Sequence, residues 1–475
     1  MNPLIATVVY AIGVAVLFYL DRDRTVRTSG ALWLPVVYLW VLGSRPVSFW
    51  LGMSPANPDP ATLNESPLDG AFFAALLVAG LWVLFQRKDR VLSFLGASWP
   101  ILVYFFYCLL SVLWSDYPGV ASKRWIKAIG DLVMVLIVLT EKQPVAALGR
   151  LFSRAGFILV PFSILFVKYY PYLGRVYDPY TGRQMFNGLA TDKNMLGVIT
   201  YVLLLGAVWR VLALLRSDEV TPHRGRSLLA QGTLLASGIY LLIDSNSVTS
   251  LVAFVLGTGL MLATSLRFIK RRAAAVHVLV LSLVIGFGSV MLLGNGVSAV
   301  SALGRTSTMS GRTDIWAALI PMAPNPVVGA GFESFWLNRD AILKLADATG
   351  GQHLNEAHDG YLEVYLQLGW VGVGLIALIL IDGYRRSVAA FRRNPAWGSL
   401  LIAFIVSAAV YNLTEAGFRM MDPIWIFLLL AIIASGSIVS GIVPESSRSH
   451  GVAAKPRRGI STSKWAAAPD SVTSV

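Results

Sequence analysis

The chain has 475 residues, 56% of them hydrophobic and only 14% charged, with a mean hydropathy of +0.65 and a formal net charge of +13. A soluble globular chain is nearer half apolar and a quarter charged, so this composition excludes that class and implies a polytopic membrane protein. Nucleic acid is not implied by the charge, because the basic residues are spread over many short connections, as positively charged cytoplasmic loops require.

The apolar residues come in blocks. Runs at 4–20, 31–50, 68–85, 92–114, 125–140, 145–167, 194–215, 228–243, 247–266, 273–293, 360–383, 398–412 and 423–443 predict an all-α bundle of about twelve to thirteen transmembrane helices. The first run has no basic region before it and no small-x-small cleavage site after it, so it reads as a retained helix. Two runs are weak: Arg150 and Arg154 intrude on 145–167, and 228–243 is short. Cys108, the one cysteine, lies inside the fourth run, which leaves no disulfide within the chain and no cysteine-based metal site. The predicted division is a bundle over 1–293, an extracytoplasmic loop over 294–359, three last spans over 360–443 and a tail over 444–475. That tail is basic and Ser/Ala-rich, and is expected to be disordered in the cytoplasm. There is no strong internal repeat, and no pair of interrupted spans of the kind that marks many transporters.

Alternate connections sort by charge. One set carries Arg22/Arg24/Arg27, Arg87/Lys88/Arg90, Lys142/Arg150/Arg154, Arg210/Arg216/Arg224/Arg226, Arg267/Lys270/Arg271/Arg272 and Arg385/Arg386/Arg392/Arg393. Its basic excess predicts a cytoplasmic position, with the N-terminus outside and the C-terminus inside a bacterial inner membrane. Against that bias stand Lys123, Arg124, Lys127, Arg175, Arg183, Lys193, Arg305 and Arg312 on the external side. Taken singly, such cations contact lipid headgroups or water. Together they offer an anionic ligand a surface where neither ATP nor nucleotide-sugars are found; the large anion available there is a polyprenyl pyrophosphate. Guanidinium groups can bind its phosphate oxygens bidentately. The spans starting near Trp125, Asn194, Ser247 and Gly360 would also turn helix N-termini toward that surface.

The external loop holds Gly311-Arg312-Thr313-Asp314-Ile315-Trp316, then Asn325-Pro326-Val327-Val328-Gly329-Ala330-Gly331, and ends in Glu356-Ala357-His358-Asp359-Gly360-Tyr361-Leu362-Glu363. Phe332–Ala346 has near-helical apolar spacing, which predicts an amphipathic helix at the interface or packed on the bundle. His358 stands at the loop–membrane junction. With an unperturbed pKa of about 6.5 it would be mostly neutral at pH 7, as a general base must be. Four acids lie in or beside spans. Asp244, Asp382 and Glu415 sit near interfaces and read as structurally satisfied, whereas Asp131 follows Lys123/Arg124/Lys127 by one to two turns and reads as the more functional position.

These segments resemble the O-antigen ligase/polymerase superfamily, whose members include O-antigen ligases and ExoQ-type exopolysaccharide polymerases. Trp114-Ser115-Asp116-Tyr117-Pro118 with Lys123-Arg124 resembles the family's external Trp-Ser-x-x-Pro turn, and Arg183 through Lys193-Asn194-Met195-Leu196-Gly197 its Lys-Asn-x-Leu-Gly helix entry. Gly311–Trp316 resembles the loop arginine motif and Asn325–Gly331 the Asn-Pro-x-x-Gly-x-Gly turn. His358, with Gly369 and Gly372 at the right spacing, resembles the signature His-Asn/Ser/Gln, nine residues, Gly-x-x-Gly. The departure is Asp359, where the family usually has an amide or hydroxyl.

The resemblance implies transfer of a glycan from undecaprenyl pyrophosphate to an acceptor hydroxyl outside the membrane, with no cofactor and no metal. It implies Arg312 and Arg183 as ligands of the donor pyrophosphate, with Lys193 and Arg124 as weaker candidates. His358 would activate or position the acceptor, with Trp316, Asp359, Glu363 and Asn194 in support. The expected partners are the lipid-linked donor, a glycan or lipid acceptor and membrane lipids. A transporter or flippase of lipid-linked sugars would account for the apolar bundle but finds few charges at mid-membrane depth. A non-catalytic scaffold of a polysaccharide export system would leave the external Arg/His set unexplained.

Overall fold

In a computed structural model, residues 2–23, 26–54, 66–177, 182–216, 222–292, 308–348 and 354–442 are described. The 444–475 tail, Arg305 and His353 lie outside them. The described chain is an all-α polytopic bundle. Its first half comprises α1 Pro3–Leu20, α2 Trp33–Leu42, the single turn α3 Val47–Trp50, α4 Pro67–Phe85, α5 Lys88–Ala97, α6 Trp99–Ser111, α7 Pro118–Leu139, α8 Pro144–Tyr169 and the turn α9 Pro171–Gly174. A hairpin of β1 Arg175–Tyr177 and β2 Gln184–Phe186 follows, paired antiparallel with Val176 opposite Met185. Then come α10 Lys193–Arg216, α11 Pro222–Asp244, α12 Val248–Ala263, the short α13 Arg267–Arg271 and α14 Ala273–Leu292. The loop helices α15 Thr308–Leu319 and α16 Arg339–Ala348 precede α17 Gly360–Arg393, α18 Pro395–Tyr411 and α19 Pro423–Val439.

Every predicted span meets a helix, and the departures have local causes. Among the described residues, six helices are long and apolar enough to cross a membrane unaided, and five shorter apolar ones accompany them. The run at 92–114 is not straight: α5 and α6 meet at 90°. Pro100 stands in the first turn of α6, where a missing N–H does no harm, so the chain restarts a helix there. The two weak runs are full helices, because their charges sit at one end of the bundle. Arg150 binds Thr28 and the Asp23 carbonyl at 2.7 and 2.9 Å, and Arg154 stacks 4.3 Å over Trp33.

That end gathers further basic groups. Arg87 pairs with Glu141 at 2.7 Å, Arg210 with Asp21 at 2.6 Å, and Arg393 caps the Ile438 carbonyl at 2.7 Å. The central helices pack through small residues, since lipid gives helices no hydrophobic reason to associate and close backbone approach must supply the contact. Gly206 of α10 faces the Phe152 ring so closely that a methyl would fall 2.3 Å from it, and Gly257 of α12 meets Leu205.

The amphipathic segment is shorter than its sequence spacing predicts. Phe332–Ser334 form a turn, Phe335–Leu337 one 3-10 turn, and the helix runs only from Arg339 to Ala348. It is packed, not floating: Phe335, Leu345, Ile315, Leu319, Ala357 and Leu366 form a separate small core above the bundle.

Candidate functional site

At the end opposite the basic loops, the loop motifs lock around a break in α17. Gly369 has φ 63 and ψ −166, a conformation closed to side-chain-bearing residues. Such a break strips neighbouring amides and carbonyls of helical partners, which lipid cannot replace. The Asn325–Gly331 turn replaces them. Trp370 N–H donates to the Pro326 carbonyl at 2.9 Å and Val371 N–H to Val327 at 3.2 Å. In the reverse direction, Ala330 and Gly331 N–H reach the Leu366 and Gln367 carbonyls at 3.0 and 2.8 Å, and the Tyr107 hydroxyl takes that of Leu368 at 3.1 Å. The two glycine motifs are therefore one clasp.

The clasp fixes the start of α17, and with it His358. Asp359 caps that helix, its carboxylate accepting the Leu362 N–H at 2.8 Å, while burial raises its pKa. Asn and Ser cap helices equally well, so an amide or hydroxyl here serves the same purpose. Glu363, buried one turn later, accepts the Ala357 N–H at 3.0 Å and the Gln367 amide at 2.6 Å. Trp316 donates from its indole to the Ala357 carbonyl at 2.9 Å. Ala357 is thus held from both sides, and His358 follows it with a φ of 50, a strained value for a non-glycine. Gly360 N–H bonds the Asn412 carbonyl at 2.8 Å; a methyl on Gly360 would lie 2.0 Å from Asn412 Oδ1. This contact brings the α18–α19 connection, with Thr414, Glu415 and Arg419, against His358.

Two carboxylates and three cationic side chains meet there. His358 Nδ1 lies 2.9 Å from Glu356 Oε1 and 3.5 Å from Glu415 Oε2, close enough for charge pairing although out of line for a ring N–H hydrogen bond. Arg312, one helical turn before Trp316, donates to the Thr414 carbonyl at 2.6 Å and to Glu415 Oε1 at 3.1 Å. Asn194, in the first turn of α10, reaches Glu415 Oε2 at 3.5 Å, and Arg419 pairs with Glu356 Oε2 at 3.1 Å.

The electrostatics correct one expectation from sequence. Burial alone would lower the His358 pKa, but Glu356 and then Glu415 outweigh it and raise the value to about 9. The empty site therefore holds an imidazolium at pH 7, not the neutral ring of a resting general base. Glu356 moves the other way: burial opposes its charge, yet His358 and Arg419 hold its pKa below the usual value. Glu356, His358 and Glu415 offer ligand atoms within 4.8 Å of one another, the spacing of a cation site. However, Arg312 and Arg419 each occupy an oxygen of one carboxylate, so the cluster is already neutralised by protein cations.

Of the residues singled out in sequence, the structure brings together Arg312, His358, Asn194, Trp316, Asp359 and Glu363. The side chains touching the Glu415 carboxylate include Arg312, His358 and Asn194, and Arg183 stands exposed in the segment before β2. Lys193 is the half-buried first residue of α10, beside Asn194. Arg124, in α7, donates to the Glu333 carbonyl.

Asp131 and Glu415 exchange the roles expected of them. Asp131 is buried and satisfied, accepting from the Tyr38 hydroxyl at 2.7 Å and the Met421 N–H at 2.9 Å, and so ties α2 and the α18–α19 connection to α7. Glu415 is the hub of the cluster. Glu356 and Arg419 were not singled out at all; the one available signal is an acid and a base, Glu415 and Arg419, in a short connection between two strongly apolar runs.

Comparison with curated proteins finds no match. Comparison with protein families matches residues 233–377 to the family described as O-Antigen ligase. The matched segment contains the arginine helix, both halves of the glycine clasp, and His358. Over those residues the chain is similar to the O-antigen ligase family, and its long apolar helices are those of a membrane protein.

Proposed function

We propose that this protein is a glycosyltransferase of the bacterial inner membrane that moves a glycan from polyprenyl pyrophosphate to an acceptor hydroxyl on the extracytoplasmic face. The observation that carries the reading is the convergence of Arg312, His358 and Arg419 on two carboxylates at the end of the bundle remote from the basic loops. The charge bias of those loops supports an extracytoplasmic position for this end.

The chemistry is a single displacement. The acceptor oxygen bonds to the anomeric carbon as the bond from that carbon to the pyrophosphate oxygen breaks, and the lipid pyrophosphate leaves with the electron pair. Its charge grows as the bond breaks, so fixed cations lower the barrier most. Arg312 is aimed by Glu415 and the Thr414 carbonyl, and the His358 imidazolium supplies a second donor. The acceptor proton needs a base that is free of a proton at neutral pH. Glu356, charged and about a fifth exposed beside His358, meets that need better than the ring. Arg183, Lys193 and Arg124 are assigned to the approach of the anionic donor.

Purified protein supplied with a polyprenyl-pyrophosphate glycan and candidate acceptors should release polyprenyl pyrophosphate. Release should stop in Arg312→Ala protein that retains its thermal transition. Undiminished release in that variant would remove the proposed anion site. Movement of intact donor across a sealed bilayer without bond cleavage would favour the flippase alternative.

A further inference from the structure

Beside the cluster, two cavities join. One is a groove of about 270 Å³ between α4 and α7. The other is a recess of about 260 Å³ that reaches Arg419, and the two share Phe73, Lys127 and Met421 in their walls. Sequence accounts for the groove. Deeper in the membrane α4 and α7 touch, because Gly80 lets Val133 come within 2.6 Å of where a methyl would stand. Nearer the site end, the facing stripes carry Gly70, Ala74 and Gly130, which leave the space unfilled, with Phe73, Leu77 and Met134 as apolar walls. The rim faces lipid: Val78 is 67% and Ile126 49% exposed.

The groove and the recess differ in charge. Among the described residues, the charged groups lining the groove are Lys123 and Lys127, successive cations on one face of α7. Beyond Lys127 the recess carries both signs: Asp69 is engaged by the Ser48 N–H at 2.9 Å, Asp422 caps α19 by accepting the Ile424 N–H at 2.8 Å, and Arg419 lines the same space. Its side chain is 43% exposed, and its Glu356 partner contacts His358. An apolar slot that opens to lipid, passes cations and ends at an arginine complements an amphiphile with an anionic head.

We propose that a polyprenyl diphosphate enters this site sideways from the membrane, the isoprene units next to its head seated between α4 and α7 and its diphosphate drawn past Lys127 to Arg419. The proposal rests on the lipid-linked donor named under Proposed function and assigns its route and a further arginine. The groove is smaller than a drug-sized pocket, so it holds only the head-proximal part of the chain and leaves the remainder in lipid.

The test uses the full chain in detergent micelles with labelled, sugar-free undecaprenyl pyrophosphate as the probe. A photoreactive benzophenone amino acid in place of Ala74 should capture the probe. The same group in place of Val8, lipid-exposed on α1, should not. Capture should fall in an Arg419→Ala background and in excess unlabelled probe, and should resist phosphatidylglycerol. Equal capture at both positions, or displacement by phosphatidylglycerol, would overturn the route.

A turnover arm keeps the two readings apart. Ala74→Trp and Gly70→Leu fill the slot with side chains a helix accepts; a Cβ on Gly70 meets nothing within 4 Å. Each should raise KM for a full-length donor by about ten-fold or more, with a smaller effect as the isoprenoid is shortened. Specific capture at position 74 without glycan transfer by the wild type would sustain the groove and defeat the transferase reading. Wild-type turnover with no capture and no effect of either substitution would defeat the groove alone.

Discussion

A methyl group on Gly369 would fall 2.2 Å from the carbonyl carbon of Val327. The approach is that close because each backbone supplies what the other lacks. At Gly369 a side chain meets both an excluded φ/ψ region and the wall of the opposing turn. Gly369→Ala should therefore cost more than an ordinary core substitution, about 3 kcal/mol or above, and should lower the melting temperature in detergent. Gly374→Ala, five residues on where nothing lies within 4 Å, is the internal reference and should be nearly silent.

Asp359 lies next to the cluster but acts on the helix. Asp359→Asn keeps an acceptor for the Leu362 N–H and should preserve stability and turnover. Asp359→Leu removes the cap and should cost about 1 kcal/mol, read from the shift in melting temperature. A severe loss of turnover in Asp359→Asn with unchanged melting would mean that the carboxylate charge itself is used.

The sequence already reveals the spans, because in lipid an apolar run has one satisfactory fate. It reveals Arg312 and His358 because they occupy short motifs. It does not reveal Glu356, Glu415 and Arg419, whose meaning lies in a turn that one hydrogen bond, Gly360 to Asn412, lashes to the histidine. The protonation of His358 was equally hidden, since a reference pKa contains no neighbours. The break at Gly369 was hidden for a different reason: an uninterrupted apolar run gives no sign that another loop will repair a broken helix. The right angle between α5 and α6 had a sign, Pro100, outweighed by the apolar run around it.

The raised pKa of His358 fixes a pH dependence. The group's pKa rises on folding from about 6.5 to about 9. Its contribution to stability is therefore complete below the unfolded value and disappears as pH climbs through about 9. If the imidazolium also supports the leaving group, kcat/KM for the free enzyme falls over the same interval, and His358→Gln should flatten that alkaline limb. A limb that instead rises between pH 6 and 7 and is abolished by His358→Gln would restore the neutral ring as base.

Chelation addresses the carboxylate pair. Arg312 and Arg419 already neutralise Glu415 and Glu356, so treatment with EDTA followed by desalting should leave turnover within about two-fold of the untreated rate. Added Mg²⁺ or Ca²⁺ should not raise it, since a divalent ion would have to displace a guanidinium. Loss on chelation with recovery on one added cation would assign the Glu356–His358–Glu415 set to a metal.

The account depends most on Arg312, aimed by Glu415 and the Thr414 carbonyl, meeting the donor's diphosphate with its remaining N–H groups. The direct measurement is kcat/KM for polyprenyl-pyrophosphate glycan in Arg312→Ala and Arg312→Lys proteins of wild-type melting temperature. Loss of about 10²–10³-fold is expected for alanine, with lysine recovering only part because it cannot reproduce the planar fork. Wild-type kcat/KM in Arg312→Ala would contradict the account.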